Sequence, residues 1–393
     1  MSLKDKKIIL GVSGAISAYK ALELTRLFVR AGASVWPVMT RGAGEFITPL
    51  SLATLARNPV STDLFAEAAP GTVRHIDLAG SADLVVVAPA TANFIGKVAS
   101  GVADDLLTTI VMAATAPVLV APSMNTRMWE NPIVRDNVAR LRGLGYPFVG
   151  PDEGELACGT TGEGRLAPVE DILEAADTAL RVKDLAGEKV LVTAGPTREA
   201  IDPVRFVSNY SSGRMGFELA RAARKRGAEV VLVSGPSALT PPRGVTFTRV
   251  VTAEDMYQAC VSYFPQSTVV IMAAAVADYR PVKSSPAKVK KTPGPISIEM
   301  TRTRDILKAL GGTKRDQVLV GFALETEKME ENARAKLMEK NLDLVVANTP
   351  GALDSLSNEV TMIDRDGAVE ALPELSKDEI AHRVLDRVVR LRR

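Results

Sequence analysis

Two stretches of this chain open in the same way, and together they restrict the fold more than any other feature. KKIILGVSG near the N-terminus is an unbroken apolar run ending in a small-residue turn, and EKVLVTAGPT near residue 188 repeats it. An amphipathic helix pattern and a second apolar run follow each, in ALELTRLFVRAGASVWPVMT and in FELARAARKRGAEVVLVSG. The two helix patterns end at Ala31-Gly32-Ala33 and Arg226-Gly227-Ala228, where glycine leaves a helix at little steric cost. Strands that are apolar throughout are covered on both faces, and strands alternating with helices build parallel sheets.

Further apolar runs follow at 83–89 and 116–122 in the first half, and at 268–278, 317–325 and 342–348 in the second. DILEAADTALRVKDLAGE finishes a helix and runs into a polar link. The expected fold is α/β: two tandem doubly wound parallel-sheet (Rossmann-like) domains, residues 1–186 and 187–393, with the boundary near Gly187. A length of 393 residues suits two cores of ordinary size.

Composition narrows the partners. With 24% charged residues and a net charge of +2, nothing suggests a nucleic-acid or membrane surface. The first apolar run ends at Gly11, too short for a membrane span, and no cleavage site follows it. Two cysteines about a hundred residues apart give no disulfide or zinc framework, so a reducing cytoplasm is expected. Cys260 lies on a helix pattern at apolar spacing and reads as core, whereas Cys158 lies in the glycine-rich run GELACGTTGEGRLA.

In open α/β sheets, ligands sit at the carboxyl ends of the strands and phosphates at helix N-termini. The first turn, Gly11 to Gly14, is G-x-x-G rather than G-x-G-x-x-G, and the next strand ends at Thr40 where a dinucleotide site wants an acid. The second half also lacks the acid, which disfavours NAD and leaves a mononucleotide open. More polar residues follow strand ends: Thr91, Asn93 and Lys97, then Asp104 and Asp105 at a helix start, then Met124, Asn125 and Met128. His75 lies in TVRHIDLA, a loop entering a short helix, and Asn125 is equally suited to capping the turn after it.

The runs GVSGAISAYK, PATANFIGKVASGVADDLL, PSMNTRMW and the ACG loop together resemble the flavin-dependent cysteine decarboxylases. AGPTREAIDPVRFVSNYSSGRMG and AAAVADYRP, with KVKK after it, resemble phosphopantothenate–cysteine ligase. In this order they resemble the bifunctional coenzyme A biosynthesis proteins of bacteria. For the first half the resemblance implies a flavodoxin-like domain holding FMN at Gly11, Ser13, Gly14, Thr40, Thr91, Asn93, Asp104 and Met124. Decarboxylation leaves a carbanion and needs an electron sink that only a cofactor supplies. His75 would assist oxidation and decarboxylation, Asn125 would hold the substrate carboxylate, and Cys158 would deliver a proton from a flap made mobile by Gly159, Gly162 and Gly164. Neutral hydroxyls and backbone N–H groups suit a phosphate where no arginine is at hand.

For the second half the resemblance implies ligation of 4′-phosphopantothenate with L-cysteine through an acyl-cytidylate made from CTP, with Mg2+ neutralising the triphosphate. Asn209 would stabilise that intermediate and Arg205 would assist the cysteine-dependent step. Asp278, Lys288, Asp305, Phe322, Lys336 and Lys340 would contact CTP, and Gly195 would help cradle phosphate. Lys336 and Lys340 lie four apart, on one helix face. No residue stands out as a magnesium ligand. Tyr210 replaces a more usual His, and Thr303-Arg304-Asp305 replaces a more usual Asn-Pro-Asp, with Asp305 and the helix start kept. Relatives of the decarboxylase also serve as non-enzymatic regulatory flavoproteins, but those lack a member of the His75, Asn125 and Cys158 set. A chain with only one active half is the other alternative. The resemblance further implies a homo-oligomer, with trimers of decarboxylase domains linked by ligase dimers into a dodecamer.

Overall fold

Strands β1 (Lys7–Val12), β2 (Ser34–Met39), β3 (Leu84–Ala90) and β4 (Val118–Pro122) form a parallel sheet in the order β2-β1-β3-β4. This computed structural model describes residues 3–65, 73–156, 159, 161–290, 295–324, 329–348 and 357–392. The chain divides into two compact units, Met1–Arg181 and Val182–Arg393.

In the first unit, β3 and β4 are buried along their whole length. Their side chains therefore alternate between two apolar layers, which is why the sequence shows no alternation. Helices α1 (Lys20–Arg30), α2 (Pro49–Ala56) and α8 cover one face, and Ile8, Leu10 and Val86 pack against Leu24, Phe28 and Leu52. Helix α3 (Arg74–Ser81), α4 (Ala92–Ala99), α5 (Leu106–Ala113) and α7 (Pro132–Gly143) cover the other, where Ile9, Val85 and Val87 meet Ile95 and Leu107. A single turn of helix, α6 (Thr126–Trp129), precedes α7, and α8 spans Val169–Leu180. Between α7 and α8 a hairpin forms from β5 (Asp152–Glu155) and β6 (Thr161–Arg165).

The second unit is built on β7 (Lys189–Ala194), with a small hairpin of β8 (Arg198–Ala200) and β9 (Phe206–Ser208) before α9 (Arg214–Lys225). Next come β10 (Glu229–Ser234), β11 (Thr246–Arg249), α10 (Ala253–Tyr263) and β12 (Val269–Met272). A second hairpin of β13 (Tyr279–Pro281) and β14 (Met300–Arg302) leads to α11 (Ile306–Thr313) and β15 (Val318–Leu324). The chain continues with α12 (Met329–Glu339), β16 (Leu344–Asn348), β17 (Ser357–Asp364), β18 (Val369–Ser376) and α13 (Lys377–Arg392). The sheet order is β11-β10-β7-β12-β15-β16-β17-β18. Six strands run parallel, but β17 and β18 are antiparallel additions to the edge. Their mixed polar sequences, SNEVTMID and VEALPELS, suit antiparallel strands with solvent on one side.

Strand β12 stops at Met272 rather than running on to Asp278 as its apolar sequence predicts. The small residues Ala273–Ala277 leave the ladder instead, and the Ala275 amide donates to the Gly195 carbonyl at 2.9 Å. The Ala277 amide donates to Thr197 Oγ1 at 3.0 Å. Cys260 is fully buried in α10, and burial pushes its thiol up to about 12, which suits the core role read from its spacing. Among the described residues no helix is long and apolar enough to cross a membrane.

Candidate active sites

In the first unit the carboxyl ends of the four strands open on a cavity of about 710 Å3. Strand β1 delivers Ser13 and Gly14 to it, β2 delivers Thr40, β3 delivers Thr91 and Asn93, and β4 delivers Met124 and Asn125. These side chains are held by their own turns. Ser13 Oγ donates to the Pro89 carbonyl at 2.8 Å and accepts from the Thr91 amide at 2.9 Å, tying the first turn to the third. Thr40 Oγ1 accepts from the Ala43 amide, Thr91 Oγ1 from the Phe94 amide and Asn125 Oδ1 from the Arg127 amide, at 3.3, 3.3 and 2.9 Å. Asn125 is therefore a helix cap as well as a wall of the cavity.

Gly14 shows why the turn needs glycine. A Cβ there would lie 2.8 Å from the carbonyl carbon and oxygen of Gly42, so the turns after β1 and β2 meet backbone to backbone. This cradle, with its hydroxyls and turn amides, fits the phosphate end of a flavin mononucleotide. Overpacking of this kind costs about 1–3 kcal/mol. Gly14→Ala is expected to weaken flavin retention about tenfold or more, read from the flavin absorbance of purified protein and by calorimetric titration, with the fold kept. Unchanged retention would separate this turn from the flavin.

Three residues expected at this site, Gly11 and Asp104 for the flavin and His75 for catalysis, do not line the cavity. Gly11 is inside β1, where a Cβ would approach Leu107 Cδ1 to 2.4 Å, so it makes room for α5 instead of lining the cavity. Asp104 pairs with Lys97 at 2.8 Å, and it is Lys97 and Asp105 that reach the lining. Hydrogen bonding to Asp104 holds the Lys97 ammonium above its usual range. His75 sits half-buried on α3 and does not line this chain's cavity. Conversely Arg41, which follows Thr40 directly, does line it, so the idea that no arginine is at hand does not hold. Its position immediately after a strand end was a readable signal.

The β5–β6 hairpin is docked at the mouth of the same cavity. The Met124 amide donates to the Gly164 carbonyl at 2.9 Å, and Trp129 Nε1 donates to Glu163 Oε2 at 2.8 Å. A Cβ on Gly162 would come within 2.8 Å of Thr126 Oγ1, and one on Gly164 within 2.3 Å of the Met124 carbonyl oxygen. These two glycines allow close packing, a role different from the mobility expected of them. Cys158 lies outside the described residues. Of its flanks, Leu156 lines the cavity and accepts a 2.9 Å hydrogen bond from the Gly159 amide.

Among the described residues of the second unit, two cavities of about 590 and 500 Å3 share Ala274, Val276, Asp278 and Phe322. The larger opens at the N-terminus of α9 and is lined by Asn209, Ser211, Ser212, Gly213 and Lys336. Gly213 has φ +81°, and a Cβ there would lie 2.9 Å from the Gly195 nitrogen. A Cβ on Gly216 would lie 2.5 Å from that of Ala194, so the glycines of SSGRMG seat α9 directly on β7. Its amide end and dipole then face the cavity, an arrangement suited to phosphate. Asn209 Nδ2 donates to the Val276 carbonyl at 3.0 Å.

The smaller cavity has an apolar floor of Met272, Ile306 and Leu307 and a charged rim that includes Asp305 and Lys340. Lys340 Nζ lies 2.8 Å from Asp305 Oδ2, while Asp305 Oδ1 caps α11 by accepting from the Lys308 amide at 3.0 Å. Burial pushes the Asp305 carboxyl up, but Lys340 and the Lys308 amide outweigh it and leave the carboxyl below its usual range. Lys336 and Lys340 thus line different cavities, although the Lys340 amide still donates to the Lys336 carbonyl at 3.0 Å, because the Lys340 ammonium is drawn to Asp305. Arg205 and Lys288 line neither cavity. The larger cavity also takes Asn348, Asn358 and Lys377. Asn348 ends a strand and was readable, whereas Asn358 and Lys377 arrive with the antiparallel edge, which the sequence reading lacked.

Residues 1–181 match the family described as Flavoprotein, and residues 185–391 match the one described as DNA/pantothenate metabolism flavoprotein C-terminal domain. Coenzyme A biosynthesis bifunctional protein CoaBC of Bacillus subtilis is 47% identical over 99% of this chain and 98% of its own length. The protein of the same name from Escherichia coli is 44% identical, again over 99% and 98%. Among solved structures, the FMN-dependent cysteine decarboxylase SpaF is 34% identical, with a TM-score of 0.40, covering 44% of this chain and 96% of that one. Because the identity runs from end to end and both halves match in order, the chain belongs to the family of bifunctional coenzyme A biosynthesis proteins.

Proposed function

We propose that the chain makes 4′-phosphopantetheine from 4′-phosphopantothenate, L-cysteine and CTP, with ligation in the second unit and decarboxylation in the first. It is an enzyme of coenzyme A biosynthesis, with a decarboxylase and a ligase activity, and a flavoprotein. The observation that carries the assignment of steps is that the motif residues of each half converge on a cavity at the carboxyl ends of that half's own strands.

In the first unit the flavin would be FMN, its phosphate held by Ser13, Gly14 and Thr40 and its charge met by Arg41, all of which line the cavity. When bound, it supplies a reversible electron sink for loss of CO2. Asn125 holds the substrate carboxylate, Met124 and Ile16 exclude water from one wall, and Cys158 delivers the proton. His75 acts on the site of a neighbouring copy, which accords with its place on α3 outside the lining of its own cavity. The working assembly is then a homo-oligomer in the cytoplasm.

In the second unit the triphosphate of CTP lies at the N-terminus of α9 and the nucleoside extends along Phe322 toward Asp305 and Lys340. Asn209 holds the acyl-cytidylate until the cysteine amine displaces CMP. Magnesium enters on the triphosphate, since this ion keeps most of its waters and takes one or two carboxylates. Asp278, on the wall both cavities share, is the carboxylate placed for it.

The test is one incubation of purified protein with 4′-phosphopantothenate, L-cysteine, CTP and magnesium, followed by mass spectrometry. Phosphopantetheine with CMP and pyrophosphate is the expected result, and chelation of magnesium is expected to stop it. Accumulation of 4′-phosphopantothenoylcysteine alone would leave the ligase assignment and remove that of the first unit. Absence of both products would overturn the reading.

A further inference from the structure

One buried carboxylate in the second unit has no place in the chemistry above, yet it joins the two segments that carry Arg205 and Lys288, to which the family resemblance gives parts in ligation. Asp202 has a side chain 0% exposed, although it lies in a turn between β8 and β9. Its Oδ1 accepts from the Val204 and Arg205 amides, both at 2.8 Å. Its Oδ2 accepts from the Val289 amide at 3.1 Å, 87 residues further along. The Arg205 guanidinium lies 3.5 Å from the same Oδ2 and also donates to the Val289 carbonyl at 3.4 Å. A second tie runs beside it, from the Ser285 amide to the Ile201 carbonyl at 2.9 Å.

The segment held in this way has no strand or helix of its own over 282–290 and carries exposed Lys283, Lys288 and Lys290. These like charges repel one another and the nearby Arg205, so the free loop would spread into solvent. An ionised carboxylate under the loop opposes this, and its acceptor bonds fix Val289, the neighbour of Lys288. Its amide partners, Val204 first, hold the carboxyl below its usual range, so it is charged at neutral pH.

We propose that Asp202 is a positioning residue for ligation, clamping the Lys288 loop and the Arg205 turn together so that Lys288 meets CTP and Arg205 meets the cysteine-dependent step in one fixed arrangement. The proposal rests on the ligase reading of this unit and on the roles that the family resemblance implies for Lys288 and Arg205, which line neither cavity themselves. Asparagine cannot substitute, because it offers one acceptor oxygen and one NH2. If its oxygen keeps the paired amides of Val204 and Arg205, its NH2 faces the Val289 N–H and the loop is released.

Full-length Asp202→Asn, Lys288→Gln and the double variant are compared with the wild type. Without substrates, trypsin cleavage after Lys288 and Lys290, followed by mass spectrometry, is expected to be about ten- to a hundredfold faster in Asp202→Asn, the loss that a charged hydrogen bond implies. An unchanged rate overturns the clamp. In the ligase assay, Asp202→Asn is expected to raise the KM for CTP about tenfold with a smaller change in kcat, and to add little to Lys288→Gln. Full additivity means that Asp202 does not act through the loop, and the proposal falls. If Lys288→Gln leaves the KM for CTP unchanged while Asp202→Asn still frees the loop, it is the nucleotide role of the loop that fails. Should Asp202→Asn not fold, hydrogen exchange on the wild type decides the clamp: the Val289 amide is expected to be protected relative to those of Lys288 and Lys290, and equal exchange overturns it.

Discussion

Replacing Gly164 with alanine is expected to slow decarboxylation about a hundredfold while ligation continues, so that 4′-phosphopantothenoylcysteine builds up ahead of phosphopantetheine. Gly164 sits in β6 with φ +147°, a conformation that L side chains rarely adopt. An added Cβ would also lie 2.3 Å from the Met124 carbonyl oxygen. Neither conflict has a flexible side chain to absorb it, since backbone opposes backbone. The hairpin has to lift, and the 2.9 Å bond from the Met124 amide to the Gly164 carbonyl breaks with it. Asn125, given the substrate carboxylate, adjoins that bond. A displacement of about 1 Å at reacting groups costs on the order of a hundredfold in rate. The expected result is a decarboxylase kcat lower by about that factor with flavin still bound, read by mass spectrometry of the complete incubation. Normal phosphopantetheine yield from Gly164→Ala would mean that the docked hairpin has no part in the reaction.

What the sequence disclosed, and what it hid, follows from how each residue is held. Parallel strands and their terminal turns were legible because burial on both faces leaves unbroken apolar runs, and because ligand-bearing turns follow them immediately. Thr40, Thr91, Asn93, Met124 and Asn125 all came from this rule, and the structure brings them to one cavity. Gly11, placed at the flavin by the family resemblance, stands one residue inside the strand and outside the cavity lining, where the packing of Leu107 leaves no room for a Cβ. The β17–β18 edge was hidden because half-solvated antiparallel strands carry a mixed pattern, and with it went Asn358 and Lys377. Helical spacing put Lys336 and Lys340 together, yet the ion pair with Asp305 draws the Lys340 ammonium to the other cavity. The mobility read into Gly162 and Gly164 failed for a different reason. Composition does not distinguish a glycine that frees the backbone from one that admits a neighbour.

Asn209→Asp is expected to lower the ligase rate about a hundred- to a thousandfold, the loss typical of removing one donor from a charge-stabilising site. The wild-type carboxamide points Nδ2 at the Val276 and Ala275 carbonyls, 3.0 and 3.4 Å away. A carboxylate cannot donate to either. It would instead face both carbonyl oxygens, and the turn after β9 would have to swing away from the Ala273–Ala277 loop. It would also add negative charge to the cavity proposed for a carboxylate, a triphosphate and the acyl-cytidylate between them. Asn209→Ala separates these effects, since it removes the donor without adding charge, and its loss is expected to be the smaller. Rapid-quench mass spectrometry with cysteine withheld reads the acyl-cytidylate directly. In Asn209→Asp that species is expected to be depleted relative to the wild type, while decarboxylation of supplied 4′-phosphopantothenoylcysteine in the other unit proceeds at the normal rate. Ligase rates within threefold of wild type in both variants would remove Asn209 from the chemistry and leave it as a tie between two loops.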